Sequence, residues 1–220
     1  MTSQEIIRQL QKQKNAKNIA GMARFGINSN KTLGISMPFL RTLAKLIGKN
    51  HICAQELWKN GIHEARILAA LIDDARLITQ KQMNGWVSDF DSWDVCDQVC
   101  LNLFYKTPVA YHKATEWSGD GREFVKRAGF VLMAVLAVHD KNADDQKFDQ
   151  FFPIILREST DSRKYVKKAV NWALRQIGKR NKDCMTKATA CTKALLKSEN
   201  KTAHWIAGDA LQEFKKISIR

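Results

Sequence analysis

Apolar positions recur at helical spacing along almost the whole chain. Ile6, Ile7 and Leu10, and further on Ile19 and Met22, mark a first amphipathic helix. Asn28-Ser29-Asn30-Lys31 is a polar break. Ser36-Met37-Pro38 opens the next helix, with Pro38 in the first turn, where a missing N–H costs nothing. Leu40, Leu43, Leu46 and Ile47 give its apolar face, and Gly48 closes it. A short helix over His51–Trp58 ends at Asn60-Gly61, His63–Ile72 reads as a buried inner helix, and Thr79–Trp86 as another. Asp91-Ser92 caps a helix running through Trp93 towards Leu103-Phe104. Pro108 begins the next, Trp117–Gly121 is a loop, and Glu123–Val138 is a long, strongly apolar helix. After the polar connection Asp140–Asp145, Phe148–Leu156 forms the outer helix of the following pair. Asp161 or Ser162 then caps a helix to about Lys179, and the last two helices run over Cys184–Lys197 and Lys201–Phe214. No segment alternates at strand period, and no composition shift marks a boundary.

Two strings in this pattern are nearly the same. Val125-Lys126-Arg127-Ala128 and Val166-Lys167-Lys168-Ala169 lie 41 residues apart, and each leads into an apolar helical run. A period near 40 built from helix pairs is the HEAT/armadillo signature. Only 3 Pro and 11 Gly in 220 residues leave few turn breakers, which also favours helices. The expected fold is all-α: one HEAT-like helical-repeat solenoid over residues 1–220, whose stacking creates a concave groove.

Charge gives that groove a character. The formal net charge is +14, and residues 161–220 hold 15 Lys/Arg against 5 Asp/Glu. Lys164, Lys168, Trp172, Arg175 and Lys179 fall on one face of a single helix, with Val166, Ala169, Val170, Ala173 and Ile177 on the other. Arg163 and Lys164 stand in the first turn, where the helix dipole disfavours cations and a bound phosphate would suit them. A solvated Lys/Arg face is the plain alternative, but an indole embedded in the stripe suits contact with sugars or bases. The concave groove is therefore expected to be basic and its partner a polyanion.

Other chemistries find little support. The five Cys are odd in number and scattered, without a CxxC, so Cys96 and Cys100 read as small buried side chains and no metal is expected. The five His stand near no hydrolase motif, and no Gly-rich phosphate loop occurs, so no cofactor is expected either. With no apolar run of membrane length and no signal-peptide core at the N-terminus, the expectation is a soluble, cytoplasmic monomer away from membranes.

One constellation could carry a reaction. Trp93 and Asp97 are four apart and share a helical face, while Val95, Val99 and Leu103 form the packing side. By itself such a carboxylate is more often solvated or ion-paired. Arg127 and Lys168 occupy repeated positions on inner helices, where inter-repeat salt bridges and groove-lining cations are equally compatible with the spacing.

The strings His63-Glu64-Ala65-Arg66, Ser92-Trp93-Asp94-Val95-Cys96-Asp97, Phe124-Val125-Lys126-Arg127-Ala128 and Val166 to Arg175 resemble the AlkD-like DNA alkylation repair family. The resemblance runs from Phe25-Gly26-Ile27 to the Trp205 helix. It implies a HEAT-like solenoid holding duplex DNA on its basic face, and a glycosylase that excises cationic alkylpurines such as N3-methyladenine and N7-methylguanine without a base-flipping pocket. By motif it makes Asp97 the catalytic carboxylate, Trp93 and Trp172 the indoles flanking the lesion-bearing sugar, and Arg127 (or the adjacent Lys126) the contact to the neighbouring phosphate. Lys164, Lys168, Arg175 and Lys179 would bind the DNA backbone. The chain departs from the family in two places: Lys164-Tyr165 stands where relatives have aromatics, and Gly21–Phe25 has no Tyr where active members tend to have one. Two other readings remain: a non-catalytic binder of damaged or branched DNA, and a solenoid for an acidic protein, which would need no such carboxylate.

Overall fold

The computed structural model describes residues 1–218, and no strand occurs among them. The chain divides into two compact units, Met1–Thr107 and Pro108–Arg220.

The first unit contains α1 (Ser3–Lys12), α2 (Ala16–Arg24), α3 (Met37–Ile47), α4 (His51–Asn60), α5 (His63–Ile72), α6 (Gln80–Ser88) and α7 (Trp93–Asn102), with a 3-10 turn at Phe104–Lys106. The one helix expected from Ile6 to Met22 is two. The first ends at Lys12, and Asn15 starts the second, its side chain accepting the Asn18 N–H at 3.0 Å. Its own N–H donates to Leu33 O at 2.8 Å, tying the break to the polar segment that follows. Helix α5 packs against α3, α4 and α7 and buries eight of its ten residues. Trp58 stacks on Trp86 with ring centroids 4.0 Å apart, and Phe90 and Phe104 complete an aromatic core. Those two indoles belong to the interior.

The second unit contains α8 (Ala110–Ser118), α9 (Glu123–His139), α10 (Gln146–Asp149), α11 (Phe151–Glu158), α12 (Lys164–Gly178), α13 (Lys182–Leu196) and α14 (Lys201–Ser218). The outer helix expected over Phe148–Leu156 breaks at Gln150. Pro153 explains the break: it has no N–H for the Asp149 carbonyl, and its ring crowds that carbonyl. Helix α9 is buried without interruption from Val125 to Ala137, packed between α8 and α12. A Cβ at Gly129 would lie 2.5 Å from Ser118 N, so only glycine lets α9 approach α8 this closely.

The two strings 41 residues apart thus lie on neighbouring packed helices, α9 and α12. The loops before them repeat as well. Arg122 folds back on Asp120 through its backbone N–H, Nε and Nη2, and Arg163 makes the same three contacts to Asp161. Arg163 also donates to Gly121 O at 2.7 Å, stapling one loop to the next. The cation at the start of α12 therefore has partners within the chain, and a bound phosphate is not needed to explain it. Among the described residues no helix is long and apolar enough to cross a membrane.

Candidate functional site

Helix α7 presents the first pair of residues singled out by the sequence. Val95, Cys96, Val99 and Cys100 face the core, which leaves Trp93 and Asp97 half-buried one turn apart. The expected cap takes an unexpected form. Ser92 holds the N-cap position but its hydroxyl donates to Asp94 Oδ1. Asp94 in turn accepts the Val95 N–H at 3.0 Å and meets His63 Nε2 at 2.8 Å. The Trp93 ring is fixed by its own Nε1–H, which donates to Phe25 O at 3.1 Å.

Beside Trp93 lies a cleft of about 760 Å3, lined by Lys17, Met22, Arg24 and Phe25 of the α2 region and by Gly34–Ser36. Helix α2 buries none of its residues, because its apolar side lines this cleft instead of the core. Phe25, at the end of α2, is 72% exposed. The sequence marked this stretch as the end of an amphipathic helix, the start of the family resemblance and a place lacking a tyrosine, but not as a cleft wall. Its signal was an apolar residue left over at a helix end, just before a glycine with φ 74°.

Two adjacent residues at the start of α5 hold both walls of the cleft. His63 pins the first turn of α7 through Asp94. Burial lowers the His63 pKa, but the hydrogen bond and charge of Asp94, with help from Glu64 and Asp91, outweigh it and raise the value. Asp94 is the mirror case: burial pushes it up, and His63, Ser92 and the Val95 N–H bring it below the usual carboxylate range. Glu64, 1% exposed, accepts the backbone N–H groups of Leu33, Gly34 and Ile35 at 2.8, 2.6 and 3.2 Å. Arg66 closes the set, donating to Asp89 O at 2.9 Å with its guanidinium over the Trp58 ring. The His63-Glu64-Ala65-Arg66 string is thus a positioning element, whose partners lie some thirty residues away in either direction.

In the second unit the cations fall into two groups. Lys126 is buried and paired with Glu158 at 2.6 Å and Asp161 at 3.3 Å. Arg127 is buried too and donates to Tyr165 O at 2.7 Å. Both link α9 to the elements of the following repeat. On α12, Arg175 pairs with Asp209 and Glu213 at 3.0 and 2.8 Å, and Lys179 pairs with Glu213 at 2.5 Å. Lys164 and Lys168, at the other end of the helix, are exposed; Lys164 lies over the Tyr165 ring, and Lys168 has no ion-pair partner among the described residues. The stripe expected on α12 exists, but its lower half is neutralised by α14. Trp172 is half-buried, and with the Gln176 amide oriented by its donors its Nε1–H reaches Gln176 Oε1 at 3.1 Å. Both candidate indoles therefore have their N–H groups tied back and their rings held.

The five cysteines are buried thiols, and among the described residues no cluster of His, Cys, Asp or Glu is placed to hold a metal ion. What the first unit offers chemically is a half-buried carboxylate and an indole one turn apart on a firmly anchored helix.

Comparisons with known proteins give the fold its relatives. The chain is similar to a solved structure described as "a new family of proteins related to the HEAT-like repeat DNA glycosylases with affinity for branched DNA structures", at 19% identity and a TM-score of 0.78 over 88% of this chain and 83% of that one. This likeness establishes the HEAT-like repeat fold. A designed armadillo repeat protein in complex with a (KR)4 peptide aligns over 80% of this chain and 91% of that one, at 17% identity and a TM-score of 0.41. No curated protein matches the sequence. The family model described as "DNA alkylation repair enzyme" matches residues 6–214, nearly the whole chain, and the protein belongs to that family.

Proposed function

We propose that this protein binds duplex DNA as a single HEAT-like solenoid and excises cationic alkylated purines, N3-methyladenine and N7-methylguanine among them. The observation that carries the reading is the Trp93/Asp97 pair on α7, held in place by His63 and Phe25 beside an open cleft. A purine alkylated at N3 or N7 already bears a positive charge and leaves readily. As the glycosidic bond breaks, positive charge builds on the sugar. The Asp97 carboxylate stabilises that charge and orients the incoming water, and the Trp93 indole face adds attraction for the same cation. The exposed Lys164 and Lys168 bind phosphates. Lys126 and Arg127 act from behind them by fixing the packing of α9 on the next repeat, and Arg175 and Lys179 add little to the phosphate contact because Asp209 and Glu213 neutralise them. The reaction needs no metal or cofactor.

A non-catalytic binder of branched or damaged DNA is the second reading, favoured by the affinity for branched DNA ascribed to the solved relative. One experiment separates the two: single-turnover release of N7-methylguanine by wild type and Asp97→Asn, with melting temperature measured on the same preparations. The expected result is a fall in release of about 10²–10³, the scale of losing one preorganised electrostatic stabiliser, with unchanged melting and unchanged or slightly tighter DNA binding. A stable Asp97→Asn protein with undiminished release rules out the catalytic assignment; no release by wild type favours the binder.

A further inference from the structure

Five of the six tryptophans have a stated place: Trp58, Trp86 and Trp117 are buried, and Trp93 and Trp172 are the candidate site indoles. Trp205, in the second turn of α14, remains, and 42% of it is exposed. The Lys167 ammonium lies over its ring, 5.2 Å from the centroid. This contact sits at one end of a seam along which α12 and α14 run side by side in the same direction: Lys167 meets Trp205, Asn171 bonds Asp209, and Arg175 pairs with Asp209 and Glu213.

Charge is segregated along that seam. Its C-terminal half contains Asp209 and Glu213, which neutralise Arg175 and Lys179. Its N-terminal half has Lys164, Lys167, Lys168 and Lys201 in the first two turns of the two helices, with Lys167 at the Trp205 ring, and neither helix places an acid in those turns; Glu199, in the preceding loop, is the adjoining one in sequence. The cation–ring contact holds the indole in position but does not explain why so much of it faces water. An exposed indole on helix ends that bear lysines and no acids matches a strand whose bases are unstacked, since a base covers the ring while its flanking phosphates meet the lysines. Inside a duplex every base is stacked on both faces and offers none to the indole.

We propose that the N-terminal ends of α12 and α14 form a platform for unpaired DNA, with Trp205 stacking a base and Lys164, Lys167, Lys168 and Lys201 holding the adjacent phosphates. This rests on DNA being the partner and adds a second element to it: recognition of a single-stranded stretch flanking the duplex. The platform is tolerant of sequence, because every base has a π-face.

The test uses the full chain and three labelled probes sharing one duplex: blunt, with a thymidine overhang, and with an overhang of the same length made of abasic sites. The abasic overhang keeps the phosphates and removes the bases. Wild type should bind the thymidine overhang about tenfold more tightly than the abasic one, the scale of one stacked base. Trp205→Ala should erase that difference and leave blunt-duplex affinity unchanged, while Trp205→Phe keeps most of it. Equal binding of thymidine and abasic overhangs by wild type overturns the platform, and so does a Trp205→Ala variant weakened alike on all three probes. The wild-type comparison decides even if the alanine variant folds poorly. Failure of wild type to bind the blunt probe at low salt overturns the DNA reading itself, a result distinct from failure of the platform alone.

Discussion

Replacing Glu64 with glutamine should destabilise the protein far more than its single changed atom suggests. The Glu64 side chain is buried, and its two oxygens serve three backbone donors: Oε1 accepts from Gly34 and Ile35, and Oε2 accepts from Leu33. A glutamine of the same shape keeps one oxygen and places an NH2 opposite a third N–H. That leaves at least one buried donor without an acceptor, at a cost of about 1–3 kcal/mol. The two bonds that survive lose their charge assistance, which contributes roughly half of the strength of such bonds. Together these give about 2–4 kcal/mol. For a chain of this size 1 kcal/mol moves the melting temperature by roughly 2–4 °C, so a drop of about 5–15 °C is expected by circular dichroism or calorimetry. Because the 33–35 segment loses its anchor, limited proteolysis should also cut faster between α2 and α3 well below the melting point. A drop under about 2 °C, with proteolysis unchanged, would refute the claim that this carboxylate holds the cleft wall.

Two further predictions follow from the charge pairs. The raised His63 pKa contributes stability that is fully present below the unfolded value, about 6.5, and is lost as pH rises through the higher folded value; the depressed Asp94 pKa contributes stability present above its unfolded value and lost as pH falls through the folded one. Melting temperature should therefore decline as pH rises from 6.5 through the raised His63 value, and His63→Gln should flatten that decline; parallel wild-type and variant curves over this window would count against the pair. In salt titrations of duplex binding, Lys164→Ala and Lys168→Ala should each reduce the slope of log affinity against log salt by about one, whereas Arg175→Ala should leave the slope nearly unchanged and cost at most about 1 kcal/mol of stability, since its pairs with Asp209 and Glu213 are partly exposed. An Arg175→Ala effect as large as that of Lys168→Ala would show that the acids of α14 do not neutralise it in solution.

Helical periodicity was enough to place most elements because a helix face depends on residues three and four apart. The bounds of α5 match the apolar run His63–Ile72, and α3 opens and closes where Pro38 and Gly48 required. The errors arose where a single residue interrupts an otherwise periodic stretch. Asn15 turns one amphipathic helix into two by capping the second, and Pro153 cuts the outer helix because it removes a donor one turn inside it. Both signals were in the sequence. Each is a local hydrogen-bond choice that a sum over apolar positions passes over.

The candidate site was harder to read, because its character depends on which charges meet across the fold. Spacing could put Lys164, Lys168, Arg175 and Lys179 on one face, but only the packing of α14 against α12 shows that Asp209 and Glu213 reach two of them and not the others. Spacing left Arg127 open between a groove-lining cation and an inter-repeat contact, and the packing of α9 on the following repeat buries it together with Lys126. The indoles divide as well: beside Trp93 and Trp172, which the sequence singled out and whose N–H groups are tied back, three tryptophans lie in the core and one, Trp205, is left in water beside a lysine. The surroundings of each indole are thus set by neighbours far along the chain, as Phe25 is to Trp93 and Lys167 to Trp205. In a repeat fold those neighbours come from adjacent repeats, so a period of 41 residues, once recognised, already names the partner helices even though it leaves the individual contacts open.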